Sequence, residues 1–76
     1  MTFNKKHFDL LEKEFGLTRS DLSRISKDEW FQVREECMWI TSDEIIDFGD
    51  FTERAEIAEE ISDTKYSMLT EAIGNN

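Results

Sequence analysis

One histidine, His7, and one cysteine, Cys37, are the residues of this 76-residue chain whose types suit a thiolate–imidazole nucleophile. Such a pair requires the two side chains to meet, with positive charge nearby to hold the thiol deprotonated. Cys37 stands between Glu36 and Met38 on an apolar helical line, which favours a buried, inert thiol. His7 falls near the polar edge of the first helix. The carboxylate pairs Glu35/Glu36, Asp43/Glu44 and Glu59/Glu60 suit general acid–base work, or magnesium or calcium, by residue type alone. Neighbours on a helix point about 100° apart, so the members of each pair do not converge. Asp47-Phe48-Gly49-Asp50 fails the calcium-loop order because Phe48 and Phe51 interrupt the ligands, and its Asp-Phe-Gly triplet lacks every other kinase element. The expectation is a chain that is not an enzyme, with no catalytic residue, no metal ligands and no cofactor.

What remains is charge, and it is unevenly placed. Residues 1–34 carry seven Lys/Arg against six Asp/Glu, a net of +1; residues 35–76 carry two against twelve, a net of −10. The acidic series runs Glu35, Glu36, Asp43, Glu44, Asp47, Asp50, Glu53, Glu56, Glu59, Glu60 and Asp63. On the last helix Glu53, Glu56, Glu60 and Asp63 recur at three- and four-residue spacing, with Glu59 at the edge. Such neighbours lie roughly 5–6 Å apart, comparable to successive phosphates along a strand, and each like-charged pair costs a few tenths of a kcal/mol. Two readings stay open: an acidic patch or nucleic-acid mimic made for a basic groove, and an ordinary solvated face. Trp39 and Phe51 fall off the main apolar lines beside acidic residues, where they either anchor an interface or cap the ends of the bundle.

A net charge of −9 argues against unaided binding to DNA, RNA or an anionic membrane. Thr18 to Glu36 has the outline of a helix-turn-helix, but its reading face would present Asp28, Glu29, Glu35 and Glu36 to phosphates. No signal pattern opens the chain and no apolar run approaches the 18 or so residues needed to span a bilayer, so the expected location is the cytoplasm. A single cysteine excludes an intramolecular disulfide, and with a single histidine it excludes the usual cysteine-rich zinc sites. A domain this small therefore depends on helix packing or oligomerisation.

The elements that position these residues are all helical. Phe8, Leu11 and Phe15, with Leu10 beside them, give an amphipathic helix from about Asn4 to Phe15, ended by Gly16. Thr18-Arg19-Ser20-Asp21 is a capping box for a short helix holding Leu22 and Ile25 inward, and Ser26-Lys27-Asp28-Glu29 is a second box. From there Trp30, Val33, Cys37 and Ile40 form one apolar line and Phe31, Met38, Ile45 and Phe48 an adjacent one. The helix either continues from Lys27 to about Phe48 or breaks at Thr41-Ser42, where hydroxyls can cap a new start at Asp43. Thr52 caps a last helix in which Ala55, Ala58, Ile61, Met68, Leu69 and Ala72 share one face until Gly74. The expected architecture is a single all-α domain over 1–76, a small bundle of three principal helices plus a short connecting helix.

The run Phe15-Gly16-Leu17-Thr18, then Leu22, Ser26-Lys27-Asp28-Glu29-Trp30, Glu36-Cys37 and Glu53-Arg54-Ala55-Glu56-Ile57-Ala58-Glu59-Glu60-Ile61 resembles small acidic helical proteins of bacterial mobile elements and prophages. The resemblance implies a setting in which such proteins block host nucleases, polymerases or defence complexes, anti-CRISPR proteins among them. The expected function is a non-enzymatic acidic inhibitor or regulator that occupies a basic, nucleic-acid-binding surface of a partner protein. Its contact residues would be Glu53, Glu56, Glu59, Glu60, Asp63, Asp47 and Asp50, with Trp39 and Phe51 as anchors. The alternative is an assembly module that self-associates or packs a partner helix on exposed aromatics.

Overall fold

Asn4 and His7 cap each other at the start of the first helix. Asn4 Oδ1 accepts the backbone N–H of Lys6 at 2.8 Å, while His7 Nδ1 accepts the backbone N–H of Asn4 at 3.0 Å. The computed structural model describes residues 2–49 and 52–74, apart from the side chain of Phe48. It contains five helices, α1 (Lys5–Phe15), α2 (Arg19–Leu22), α3 (Lys27–Phe48), α4 (Glu53–Ser62) and α5 (Tyr66–Ile73), and no strand among the described residues. The all-α bundle expected from the periodicity is what forms. Asp50 and Phe51 lie outside the described residues.

Each helix but the last is started by a side chain. Thr18 Oγ1 accepts the Asp21 N–H and the Asp21 carboxylate accepts the Thr18 N–H, so the box closes with the shorter acid. Ser26 Oγ accepts the Glu29 N–H at 3.2 Å and donates to the Glu29 carboxylate at 3.0 Å; Thr52 Oγ1 accepts the Ala55 N–H. Gly16 and Gly49 end α1 and α3 with φ of +67° and +66°, a left-handed conformation that costs any residue with a Cβ.

Thr41 does not break α3. Its hydroxyl is turned back on the Cys37 carbonyl at 3.0 Å, with the Ala55 carbonyl of α4 at 3.3 Å, so the helix runs through Thr41-Ser42 without a new cap. The last segment differs from the single helix expected. It turns at Asp63-Thr64-Lys65, dividing into α4 and α5. Ser62 Oγ donates to the Glu59 carbonyl and Thr64 Oγ1 to the Glu60 carbonyl, competing with the backbone at the end of α4. The carbonyls freed at the turn are taken by α3: Trp30 Nε1 donates to Thr64 O and Arg34 Nε to Ser62 O, both at 2.8 Å. Met68, expected on the inner face, is 43% exposed because the turn rotates α5 away from the register of α4.

The core lies between α3 and α4, the most extensive helix pair, and is closed by α1 and α5. Trp30, Val33 and Cys37 of α3 meet Ala58 and Ile61 of α4, Leu10 and Leu11 of α1, and Leu69, Ala72 and Ile73 of α5. Ala55 and Ala58 are fully buried, and their small side chains let α3 and α4 approach closely. The two ends of the described chain are tied together where Phe3 N–H donates to Ala72 O.

His7 is the second departure from expectation. It is buried at 3% exposure and does not lie on the polar edge of α1. Its ring stacks on Phe3 with centroids 5.0 Å apart, and Nε2 lies 2.8 Å from Glu60 Oε1. With Nδ1 accepting from Asn4, the ring's donor is Nε2–H, and Glu60 is its acceptor.

Candidate partner-binding surface

Helix α3 is apolar on two opposite sides. At about 100° per residue, Trp30, Val33, Cys37 and Ile40 share the side packed against α4, while Phe31, Met38 and Ile45, spaced by sevens, run along the other with Trp39 and Ile46 beside them. Of the two adjacent apolar lines expected from the sequence, the one through Phe31, Met38 and Ile45 does not join the core and faces outward. Met38 is 60% exposed, Trp39 66% and Ile46 77%, with Phe31 and Ile45 about half exposed. Fully burying one such side chain is worth roughly 1.5–3 kcal/mol, so five on one helix are a large unspent driving force.

The middle of this face has a definite shape. Glu35, Met38, Trp39 and Ser42 surround a hollow of about 290 Å³. Their spacing is i, i+3, i+4, i+7, the four-residue diamond into which a side chain of a facing helix inserts in knobs-into-holes packing. Ser42 is the small member that leaves the hollow open. Glu35 is itself a wall of the hollow and Asp43 is exposed on the flank beside Trp39, with Asp47 near the end of the helix. The last turn of α3 carries no basic residue to offset its negative dipole end.

The acidic residues of α4 are less uniform than their spacing suggests. Glu53 pairs with Lys6 at 2.9 Å, and Glu60 is the acceptor for buried His7. Glu56, Glu59 and Asp63 are exposed and form no ion pair among the described residues. Glu44 is drawn into a contact between three helices: the Arg54 guanidinium lies 2.5 Å from Glu14 and 3.6 Å from Glu44, and Thr52 Oγ1 donates to Glu44. The Glu14 hydrogen bond, reinforced by both carboxylates, holds the Arg54 pKa above its usual value.

Cys37 has the environment of an inert thiol. It is fully buried, and desolvation, with the charges of Glu36 and Glu14 adding to it, pushes its pKa up to about 12. No three His, Cys, Asp or Glu side chains are grouped as a metal site among the described residues. No helix of the described residues is long and apolar enough to cross a membrane.

A second concavity lies at the other end of α3. Lys27, Phe31 and Arg34 of α3 and Lys65, Tyr66 and Ser67 at the start of α5 line a groove of about 590 Å³, with Trp30 also in its lining. The sequence signal for it was present but divided: two basic residues of the near-neutral half and one of the only two in the acidic half, 31 positions further on.

No protein-family model matches the chain, and neither a curated protein nor a solved structure is significantly similar to it.

Proposed function

We propose that this chain is a non-enzymatic protein-binding module that receives an amphipathic helix of a partner on the outer face of α3. The observation that carries the reading is the hollow of Glu35, Met38, Trp39 and Ser42, set in an apolar face on a helix whose opposite side is already committed to the core. The occupant would insert one apolar side chain there and cover Phe31, Ile45 and Ile46. The carboxylates of Glu35 and Asp43 ask for Lys or Arg beside the partner's apolar stripe, and the net charge of −9 would speed its approach.

A second copy of the chain fits this face poorly. Paired parallel, the acidic halves oppose each other; paired antiparallel about Trp39, Glu35 of each copy falls near Asp43 of the other, while each chain brings a charge of −9.

The test is a titration of the full chain with synthetic helical peptides carrying an apolar stripe at three- and four-residue spacing and Lys/Arg on its flanks. Trp39 is exposed and Trp30 is not, so docking is read as a blue shift of the Trp39 emission. Saturable binding that Met38→Glu removes supports the reading. Absence of binding by every such peptide overturns it, as does self-association of the unliganded chain that Met38→Glu abolishes.

A second reading, occupation of a basic nucleic-acid-binding groove as an inhibitor would do, is favoured by the exposed row of Glu56 and Glu59 on α4 and Asp63 at its C-cap, which form no ion pair among the described residues. Under it, reversing those three charges to Lys removes binding to a basic partner and Met38→Glu does not.

A further inference from the structure

The groove between the N-terminal part of α3 and the start of α5 concentrates three of the chain's nine Lys and Arg on a molecule of net charge −9. None of Lys27, Arg34 or Lys65 forms an ion pair among the described residues, in contrast to Lys6, Arg24 and Arg54. Arg34 is held in place through Nε, bonded to Ser62 O, and this leaves the Nη groups of its fork uncommitted. The groove also meets the start of α5, the one described helix whose N-cap residue, Lys65, makes no side-chain capping bond. Its first N–H groups and the positive end of its dipole therefore add to three cations. With no ion pair engaging them among the described residues, these cations are available to an anion that enters the groove.

Phe31 belongs to both the groove and the outer face of α3. A helix laid over Met38 and Phe31 continues directly into the groove. From Phe31 to Ile46 the apolar face is about 22 Å long, the length of roughly four helical turns. Its two ends differ in balance: Lys27, Arg34 and Lys65 gather at one, where Asp28 and Glu29 of the first turn are the nearby acids, while Asp43, Asp47 and a last turn of α3 without a basic residue stand at the other.

We infer that the groove is an anion site that receives the acidic C-terminal end of the docked helix, so that the partner helix lies antiparallel to α3. This rests on the helix-docking reading above. The carboxylates of the partner's last turn, together with the negative end of its dipole, meet Lys27, Arg34, Lys65 and the N-terminus of α5. The partner's N-terminal turn, positive in dipole and basic in side chains, meets Asp43 and Asp47. The same arrangement sets the dipole of the partner against that of α3.

The experiment compares two peptides of about 18 residues, long enough to cover the face. They share the apolar stripe and composition: one carries Lys/Arg towards its N-terminus and Glu in its last turn with a free carboxylate, the other the reverse order with an amidated end. Each is titrated against the full chain by calorimetry. The first is expected to bind roughly tenfold more tightly at low salt, with the advantage shrinking as salt rises. In the Lys27→Glu/Lys65→Glu variant, which touches only exposed side chains, the preference disappears or inverts. Equal affinities, or a preference the double variant leaves intact, overturn the anion site while leaving the docking face standing. Failure of both peptides to bind removes the docking reading itself, and the anion site with it.

Discussion

Trp30 and Thr64 are joined across the interior by a 2.8 Å hydrogen bond from the indole Nε1 to the backbone carbonyl, at the corner where α4 gives way to α5. Trp30 is fully buried, so this bond has no water to replace it. Trp30→Phe keeps the apolar ring but strands the carbonyl, and the unsatisfied group costs about 1–3 kcal/mol, with a further loss for the missing ring volume. Urea unfolding should show that loss while far-UV circular dichroism stays helical. A change below about 0.5 kcal/mol, the size typical of an exposed surface site, would mean that the corner is held by something else.

Glu60 and Glu56 belong to one acidic row by spacing but answer differently to charge reversal. Glu60→Lys sets a cation against the buried donor Nε2–H of His7 and is expected to destabilise the fold by about 1–3 kcal/mol. Glu60→Gln keeps an acceptor at the same position and should cost much less. The triple variant Glu56→Lys/Glu59→Lys/Asp63→Lys removes exposed like-charge neighbours and should leave the melting temperature unchanged or raised. Equal melting temperatures for Glu60→Lys and the parent would show that the His7 contact contributes nothing.

Cys37 gives a pH dependence with a definite sign. The folded state raises the thiol pKa from 9.0 to about 12, so the folded protein holds the proton more tightly than the unfolded chain. Below pH 9 both states are protonated and no stability is lost. Between pH 9.0 and about 12 the unfolded chain releases its proton first, and stability falls as pH rises. Chemical denaturation at pH 8, 9 and 10 should show this slope, and Cys37→Ala, less stable at pH 8 for the cavity it leaves, should show a shallower one. Iodoacetamide at pH 8 should label the thiol only after unfolding; rapid labelling of the native protein would contradict the burial.

The parts of the fold that were legible in the sequence are those decided within one turn of chain. Thr18 with Asp21, Ser26 with Glu29, and the left-handed glycines Gly16 and Gly49 each act on neighbours three or four residues away, so type and spacing suffice. The corner at Asp63-Thr64-Lys65 was hidden because Ile61, Met68 and Leu69 keep helical spacing across it, with neither Gly nor Pro to mark it. Its freed carbonyls are held by Trp30 and Arg34, about thirty residues earlier in the chain. His7 was hidden for the same reason, since Glu60 and Phe3 decide its burial. Of the candidate surface, the exposure of Trp39 could be read from its acidic neighbours. That of Phe31, Met38 and Ile45 could not: a helix apolar on two sides does not say which side α4 will cover.

The outer face of α3 should separate binding from stability more sharply than any other part of the molecule. Trp39→Ser and Ile46→Lys remove apolar surface that is already in water, so neither takes a contact from the core. Each is expected to change the unfolding free energy by no more than about 0.5 kcal/mol, and Ile46→Lys should also improve solubility. Filling the hollow from its rim has a different effect: Ser42→Leu adds apolar surface yet closes the space a partner side chain would occupy. If the hollow is the receptor, Ser42→Leu weakens peptide binding about tenfold or more although it makes the face more hydrophobic. If the face binds only through its greasiness, Ser42→Leu strengthens binding. Peptide calorimetry on this one variant therefore distinguishes a shaped site for a helix from an unspecific apolar patch.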